Sequence, residues 1–243
     1  MSRIAHLTDP HLNGSRERHE RLLRALGRAD TAGSDHLLLT GDLTASGKME
    51  HFEELGDALG GSRFSVYDTT LVPGNHDGGP SRWVEALNRT NLRRYAPTSF
   101  DGATTDKGDF VVSAVDSTIG SRALVFRALG HLDANQLDHL DRVGESTEKC
   151  VVVAMHHGVR KGPLFLFDGM TNGFMLLYLL DKYPHMHVCC GHHHRIINSG
   201  RLFGAGSVVN HPDPLRVYDV RGTQLVPVYQ STQAIGSFMA PWR

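Results

Sequence analysis

Five short clusters of oxygen and nitrogen donors punctuate the 243-residue sequence: Asp9-Pro10-His11, Thr40-Gly41-Asp42, Pro73-Gly74-Asn75-His76-Asp77, His156-His157-Gly158 and Gly191-His192-His193-His194. Asp9 and His11 stand two apart beyond a strand end, so a carboxylate and an imidazole can reach one ion. Asp42 follows a glycine that lets the chain turn, and its two oxygens can bridge two ions. Asn75, His76 and Asp77 put an amide, an imidazole and a carboxylate in three successive residues, more than a bland turn needs. Side chains alternate in an extended segment, so His192 and His194 project to one side and His193 to the other. Each cluster alone is compatible with an ordinary turn or a core histidine. Together Asp9, His11, Asp42, Asn75, His156, His192 and His194 offer oxygen and nitrogen donors with no thiolate, a set suited to Zn, Mn, Fe or Co rather than to a structural zinc knuckle.

Elements with the right geometry precede every cluster. The apolar runs Arg3 to Thr8, His36 to Thr40, Thr69 to Val72, Phe110 to Val115, Cys150 to Met155 and His187 to Cys190 read as buried strands. Leu22, Leu26 and Ala29 recur at helical spacing within Ser15 to Ala32, and Phe52, Leu55 and Leu59 mark a second helix. Asp133 and Gln136 form a capping-box pair ahead of Leu137, Leu140 and Val143, and a fourth helix runs from about Phe174 to Asp181, stopping near Pro184. Strands alternating with helices predict an α/β sheet of mainly parallel order. From about residue 201 the pattern changes: Leu202 to Asn210, Leu215 to Val220 and Leu225 to Tyr229 are strand-like with no helix between them, which predicts an antiparallel β end. In an open α/β sheet the carboxyl ends of the strands form the ligand crevice, so all the clusters can converge there.

Composition narrows the classes. The chain has the size of one large domain, residues 1–243, and lacks a Pro/Gly/Ser-rich linker. Lys and Arg number 25 against 26 for Asp and Glu, so no basic surface advertises long nucleic acid as a partner. The longest apolar stretches fall far short of the ~20 residues that span a bilayer. No signal-peptide pattern opens the chain, and Cys150, Cys189 and Cys190, an odd number inside apolar runs, suit reduced thiols; both point to a cytoplasmic protein. The 16 histidines raise the expectation of a metal site without proving one.

The ordered blocks Asp9-x-His11, Gly41-Asp42, Gly74-Asn75-His76-Asp77, His156 and Gly191-His192-x-His194 resemble the signature of the calcineurin-like metallophosphoesterase superfamily. Val115-Asp116-Ser117 and the stretch Gly130-His131-Leu132 to Gln136-Leu137 are also similar to its class III cyclic nucleotide and glycerophosphodiester phosphodiesterase branch. The resemblance implies a four-layer α/β/β/α sandwich with two mixed sheets face to face. It also implies a dinuclear centre, with one ion held by Asp9, His11, Asp42 and His194 and the other by Asp42, Asn75, His156 and His192. His156 rather than His157 is the expected ligand because the family's histidine directly ends its strand; Gly158 stands where the family often has proline.

The expected function is therefore hydrolysis of small phosphodiesters. Two ions about 3.5–4 Å apart can share a hydroxide, lower its pKa and hold phosphate oxygens for in-line attack. His76, whose side chain diverges from that of Asn75, is expected to face the substrate and protonate the leaving oxygen or stabilise the transition state, with Asp77 orienting it. A UDP-diacylglucosamine-type pyrophosphohydrolase, a phosphomonoesterase and a nuclease are alternatives, and a metal-free scaffold is the least favoured. Asn13 to His19, Arg122 to His131 and Arg160 to Asn172 are the loops expected to set specificity. The tail Ile235 to Arg243 reads as a packed end, with an oligomer contact as its alternative.

Overall fold

The computed structural model describes residues 1–78, 103–118, 129–159 and 169–229. The tail from 230 and the loop portions 122–128 and 160–168 lie outside these residues.

The first sheet is built from β1 (Arg3–Leu7), β2 (His36–Thr40), β3 (Thr69–Val72), β10 (Arg216–Arg221) and β11 (Gln224–Tyr229), in the order β11-β10-β1-β2-β3. β1, β2 and β3 are parallel, while β10 runs antiparallel beside β1 and pairs with β11. The second sheet holds β4 (Ala103–Asp106), β5 (Phe110–Ala114), β6 (Cys150–Ala154), β7 (Met186–Cys190), β8 (Ile197–Ser199) and β9 (Leu202–Gly204), in the order β4-β5-β6-β7-β9-β8. Its four central strands are parallel and its two edges antiparallel.

Period-two alternation sends neighbouring side chains of each strand into different layers. Ala5, Leu7, Leu37 and Leu39 face α1 (Arg16–Thr31) and α2 (Met49–Gly60), packing with Leu22, Leu26, Phe52 and Leu55. Val151 and Val153 face α3 (Ala134–Ser146) and α4 (Gly173–Lys182), against Leu140, Leu176 and Leu180. Ile4, Leu38, Val72, Phe110, Val152, Cys189, Phe203 and Tyr218 fill the space between the sheets. This is the expected α/β/β/α sandwich of two mixed sheets.

The predicted strand positions hold, and the capping box of α3 is formed in both directions, each hydrogen bond 2.9 Å long. β8 is an edge strand outside the expected set, and three further features differ from expectation. The stretch expected as one strand over Leu202 to Asn210 is β9 alone followed by a turn, and β9 runs parallel to β7 rather than adding to an antiparallel end. β4 is an edge strand whose residues Ala-Thr-Thr-Asp alternate in exposure with little apolar content, so no hydrophobic run signals it. Met186 also belongs to β7, one residue earlier than expected.

Quiet histidines occur between the sheets. His6 Nε2 lies 2.8 Å from Thr40 Oγ1 and its Nδ1 3.2 Å from Tyr218 Oη, and His36 Nε2 lies 2.9 Å from Thr70 Oγ1. Burial lowers each of these imidazoles to about 3, so both are neutral structural groups.

Candidate metal centre

Asp9, Asp42 and Asn75 follow β1, β2 and β3 within two or three residues, and His156 and His192 each follow β6 and β7 by two. The two sheets place these ends side by side. Among the described residues, every non-glycine with a positive φ belongs to the predicted donor set: Asp9 (52°), His11 (42°), Asp42 (47°), His192 (66°) and His194 (54°). The left-handed region costs a non-glycine residue about 1–2 kcal/mol, and such strain concentrates at functional sites. All five lie in the turns that follow β1, β2 and β7.

Hydrogen bonds tie these turns to one another. Asp9 N donates to Gly41 O at 3.1 Å and His11 N to Asp42 O at 2.9 Å, which locks the first turn onto the second. Gly41 has no room for a side chain, since a Cβ there would lie 2.4 Å from His156 Nδ1. Gly74 is equally confined, because a Cβ would come within 2.2 Å of the Asp42 amide nitrogen and Oδ1.

The donors meet in two groups. Asp9, His11, Asp42 and His194 form one, with a ligand atom from each lying within 4.8 Å of the others. His11 Nε2 is 3.2 Å from His194 Nε2, 3.6 Å from Asp42 Oδ2 and 3.8 Å from Asp9 Oδ1. His156, His157 and His192 form the second group on the same distance criterion. Asp42 links the two: its Oδ2 is also 3.4 Å from His156 Nε2, which in turn is 3.2 Å from Asn75 Oδ1. Every predicted donor is thus at the crevice.

Burial and the mutual charges of its carboxylates and imidazoles shape the electrostatics of this cluster. Burial favours a neutral Asp42, yet His156, His76 and His11 together hold its carboxyl well below the usual range. Burial opposes a charged His156, but Asp42 outweighs it and raises the imidazole to about 10. Asp9 raises His194, whereas burial lowers His11, and burial with the neighbouring His156 lowers His192 to about 4. Asp9 Oδ1 is buried and has no aligned hydrogen-bond donor, although His194 Nε2 is only 3.2 Å away. An unsatisfied carboxylate oxygen facing imidazole nitrogens is what a cation would complete. The donor set and this orphaned atom therefore fit a metal.

His156 and His157 take different directions, as adjacent residues at a strand end must. His156 Nε2 faces Asp42 and Asn75, while its Nδ1 is 2.8 Å from Thr40 O. His157 Nδ1 is 2.8 Å from Ser117 Oγ, and its ring centroid lies 4.6 Å from that of His192. Burial lowers His157 well below the usual histidine range.

His76 is half-exposed at the mouth, its Nδ1 3.1 Å from Ala45 O and its Nε2 3.9 Å from Asp42 Oδ2. Asp77 is buried and its oxygens accept from the Leu43, Thr44 and Gly74 amides and the Thr44 hydroxyl at 2.7–3.0 Å. Asp77 therefore fixes the Asp42 loop, including the segment whose Ala45 carbonyl meets the His76 ring. Burial and the nearby Asp42 raise its pKa to about 6.

Several supporting residues gave no sequence signal. Thr8 Oγ1 donates to Asp9 Oδ2 at 2.6 Å, Ser207 Oγ to Asp9 O at 3.0 Å, and Asn210 meets His194 Nδ1 at 3.1 Å. Ser207 and Asn210 lie in the stretch expected to be strand, where nothing in the local pattern marks them.

Solved structures share this fold. A dimetal phosphatase from Danio rerio superposes with a TM-score of 0.66 at 14% identity, covering 93% of this chain and 98% of its own. GAP50, the anchor in the inner membrane complex of Plasmodium, gives 0.61 at 12% identity with 95% and 90% coverage. TT1561 of Thermus thermophilus gives 0.57 at 14% identity with 93% and 98% coverage. No curated protein matches the chain in sequence. Residues 2–195 match the family model described as calcineurin-like phosphoesterase, and the chain belongs to that family.

Proposed function

We propose that the protein is a dinuclear metal-dependent phosphodiesterase acting on small phosphodiesters, with residues 1–243 forming one domain. The observation that carries this reading is Asp42 Oδ2, which stands within 3.4–3.6 Å of imidazoles from both donor groups. Asp9, His11, Asp42 and His194 would hold one ion, and Asp42, Asn75, His156 and His192 the other, with Mn, Fe, Zn or Co the metals suited to such donors. When bound, two such cations act as a Lewis acid and activate water for attack on a phosphate ester.

The chain's own residues supply the rest. Thr40 O accepts the proton on His156 Nδ1, which leaves Nε2 turned toward Asp42 and Asn75. His76 keeps its Nδ1 proton on Ala45 O, so Nε2 can carry a second proton to an oxygen of the substrate. Half-exposure at the mouth suits that contact. Asp77 acts as a positioning residue, holding the loop on which the His76 contact depends.

The diester preference rests on the likeness of Val115-Asp116-Ser117 and Gly130 to Leu137 to the class III branch. Ser117 and His131 do lie together, with the His131 amide donating to Ser117 O at 2.9 Å. Among the described residues no helix is long and apolar enough to cross a membrane. The three cysteines are free and buried, in keeping with a cytoplasmic enzyme. The fold is shared with a protein titled an anchor as well as with a phosphatase, so the site and not the fold must decide activity. The deciding experiment is a panel of cyclic nucleotides, glycerophosphodiesters, nucleotide-sugar lipids, monoesters and bis-nitrophenyl phosphate with added manganese and measured metal content. Diester turnover that tracks bound metal is expected; a metal-replete sample inert on every ester overturns the proposal.

A further inference from the structure

The turn after β9 crosses from the second sheet to the first and passes over one end of the metal centre. It is anchored firmly. Thr8 and Ser207 pair in a parallel bridge, Val208 N donates to Thr8 O at 3.0 Å, and His211 N donates to Ser207 O at 2.9 Å. From this frame two side chains reach residues assigned above to the same ion: Ser207 Oγ donates to the Asp9 carbonyl at 3.0 Å, and Asn210 brings its amide to 3.1 Å from His194 Nδ1.

The chemistry of that second contact depends on the state of His194. The Asn210 side-chain amide carries both a donor and an acceptor, so it can meet Nδ1 whether or not that nitrogen bears a proton. Nε2, on the other side of the ring, lies 3.2 Å from both His11 Nε2 and Asp9 Oδ1. A cation needs the Nε2 lone pair. The proton then sits on Nδ1, where the Asn210 side-chain carbonyl can accept it. Histidines that bind metal generally donate their other ring N–H to such a partner.

We infer that Asn210 is a positioning residue for His194, its side-chain amide holding Nδ1 so that Nε2 faces Asp9 and His11. The inference rests on the ligand reading of His194 proposed above. The partner of His156 Nδ1, the Thr40 carbonyl, can only accept, so that nitrogen keeps its proton.

The test is cobalt(II) binding to the full chain, measured by chelator competition and by the visible absorption of the bound ion. Asn210→Leu should weaken one of the bound equivalents by roughly 10–100-fold, the usual effect of losing an outer partner of a metal ligand. Asn210→Asp, which always presents an acceptor, should bind as tightly as the wild type or more tightly. The urea midpoint of the metal-free protein should be the same for all three. Wild-type affinity in Asn210→Leu overturns the inference, as does an Asn210→Asp variant as weak as Asn210→Leu. His194→Ala separates the two claims. If it binds both equivalents normally, the ligand reading itself fails; if it loses one while Asn210→Leu loses none, only the role of Asn210 fails.

Discussion

The carbonyl oxygen of Thr40, the last residue of β2, lies 2.8 Å from Nδ1 of His156, which follows β6 in the other sheet. A carbonyl cannot donate, so this contact fixes the proton on Nδ1 and leaves Nε2 aimed at Asp42 Oδ2, 3.4 Å away. One hydrogen bond between the sheets thus sets both the tautomer and the direction of a proposed ligand. A cation bound at Nε2 would take the place of the proton that Asp42 otherwise stabilises there.

Asp42→Asn should be the most damaging single change at the centre. Its Oδ2 faces His11 and His156, so both proposed ions lose a donor and the negative charge between them. Metal analysis should show both equivalents weakened by more than the roughly 10–100-fold typical of losing an outer partner. Circular dichroism should remain that of the folded protein. Full occupancy in this variant would remove Asp42 as the shared ligand.

His76→Ala should separate chemistry from metal binding. The ring is half-exposed and hydrogen-bonded to Ala45 O, so its removal leaves the proposed metal donors in place. Turnover of bis-nitrophenyl phosphate should fall by about 10²–10⁴-fold, the usual contribution of a general acid. Metal content should not change; loss of metal would instead make His76 a ligand or a structural residue.

Gly74→Ala should act through the backbone. The new methyl would meet the Asp42 amide and Oδ1 at 2.2 Å, and the Asp42 turn cannot retreat because Asp77 and the Asp9 turn hold it from either side. Overpacking of this kind costs about 1–3 kcal/mol. Chemical denaturation should show that loss, with weaker metal binding alongside it.

Acid sensitivity should come partly from His6 and His36, which lie between the sheets. Each has a folded pKa lowered to about 3 by burial, against an ordinary value of 6.5. Between those values the unfolded chain binds the extra proton, so stability is full above 6.5 and falls as pH drops toward 3. From pH 7 to pH 5 each histidine should remove about 2 kcal/mol. Urea titrations of the metal-free protein at the two pH values should show this slope, and His36→Gln should flatten it; an unchanged slope in that variant would exclude His36 as a source.

Asp133→Ala serves as a contrast at a helix N-terminus. It removes the side chain that accepts from Gln136 N at 2.9 Å, and loss of an N-cap typically costs ~1 kcal/mol. Thermal or urea unfolding should register that cost while cobalt(II) affinity stays at the wild-type value.

The amino-acid sequence by itself determined the donors and the elements that carry them. Buried strands such as Leu37 to Leu39 and Val151 to Val153 announce themselves by apolar content, and the turn clusters follow them within a few residues, because strand formation and turn chemistry are local. The capping pair Asp133 and Gln136 is legible for the same reason. Only the tertiary structure decided which donors meet. Asp42 and His156 are far apart in the chain, Asn210 reaches His194 from another turn, and β10 enters beside β1 while β9 pairs parallel to β7. Strand partners and register depend on which faces can be buried together, and a contact between sheets depends on both strands being in place first. No local pattern encodes that, which is why the candidate donors could be read from the chain and their partners could not.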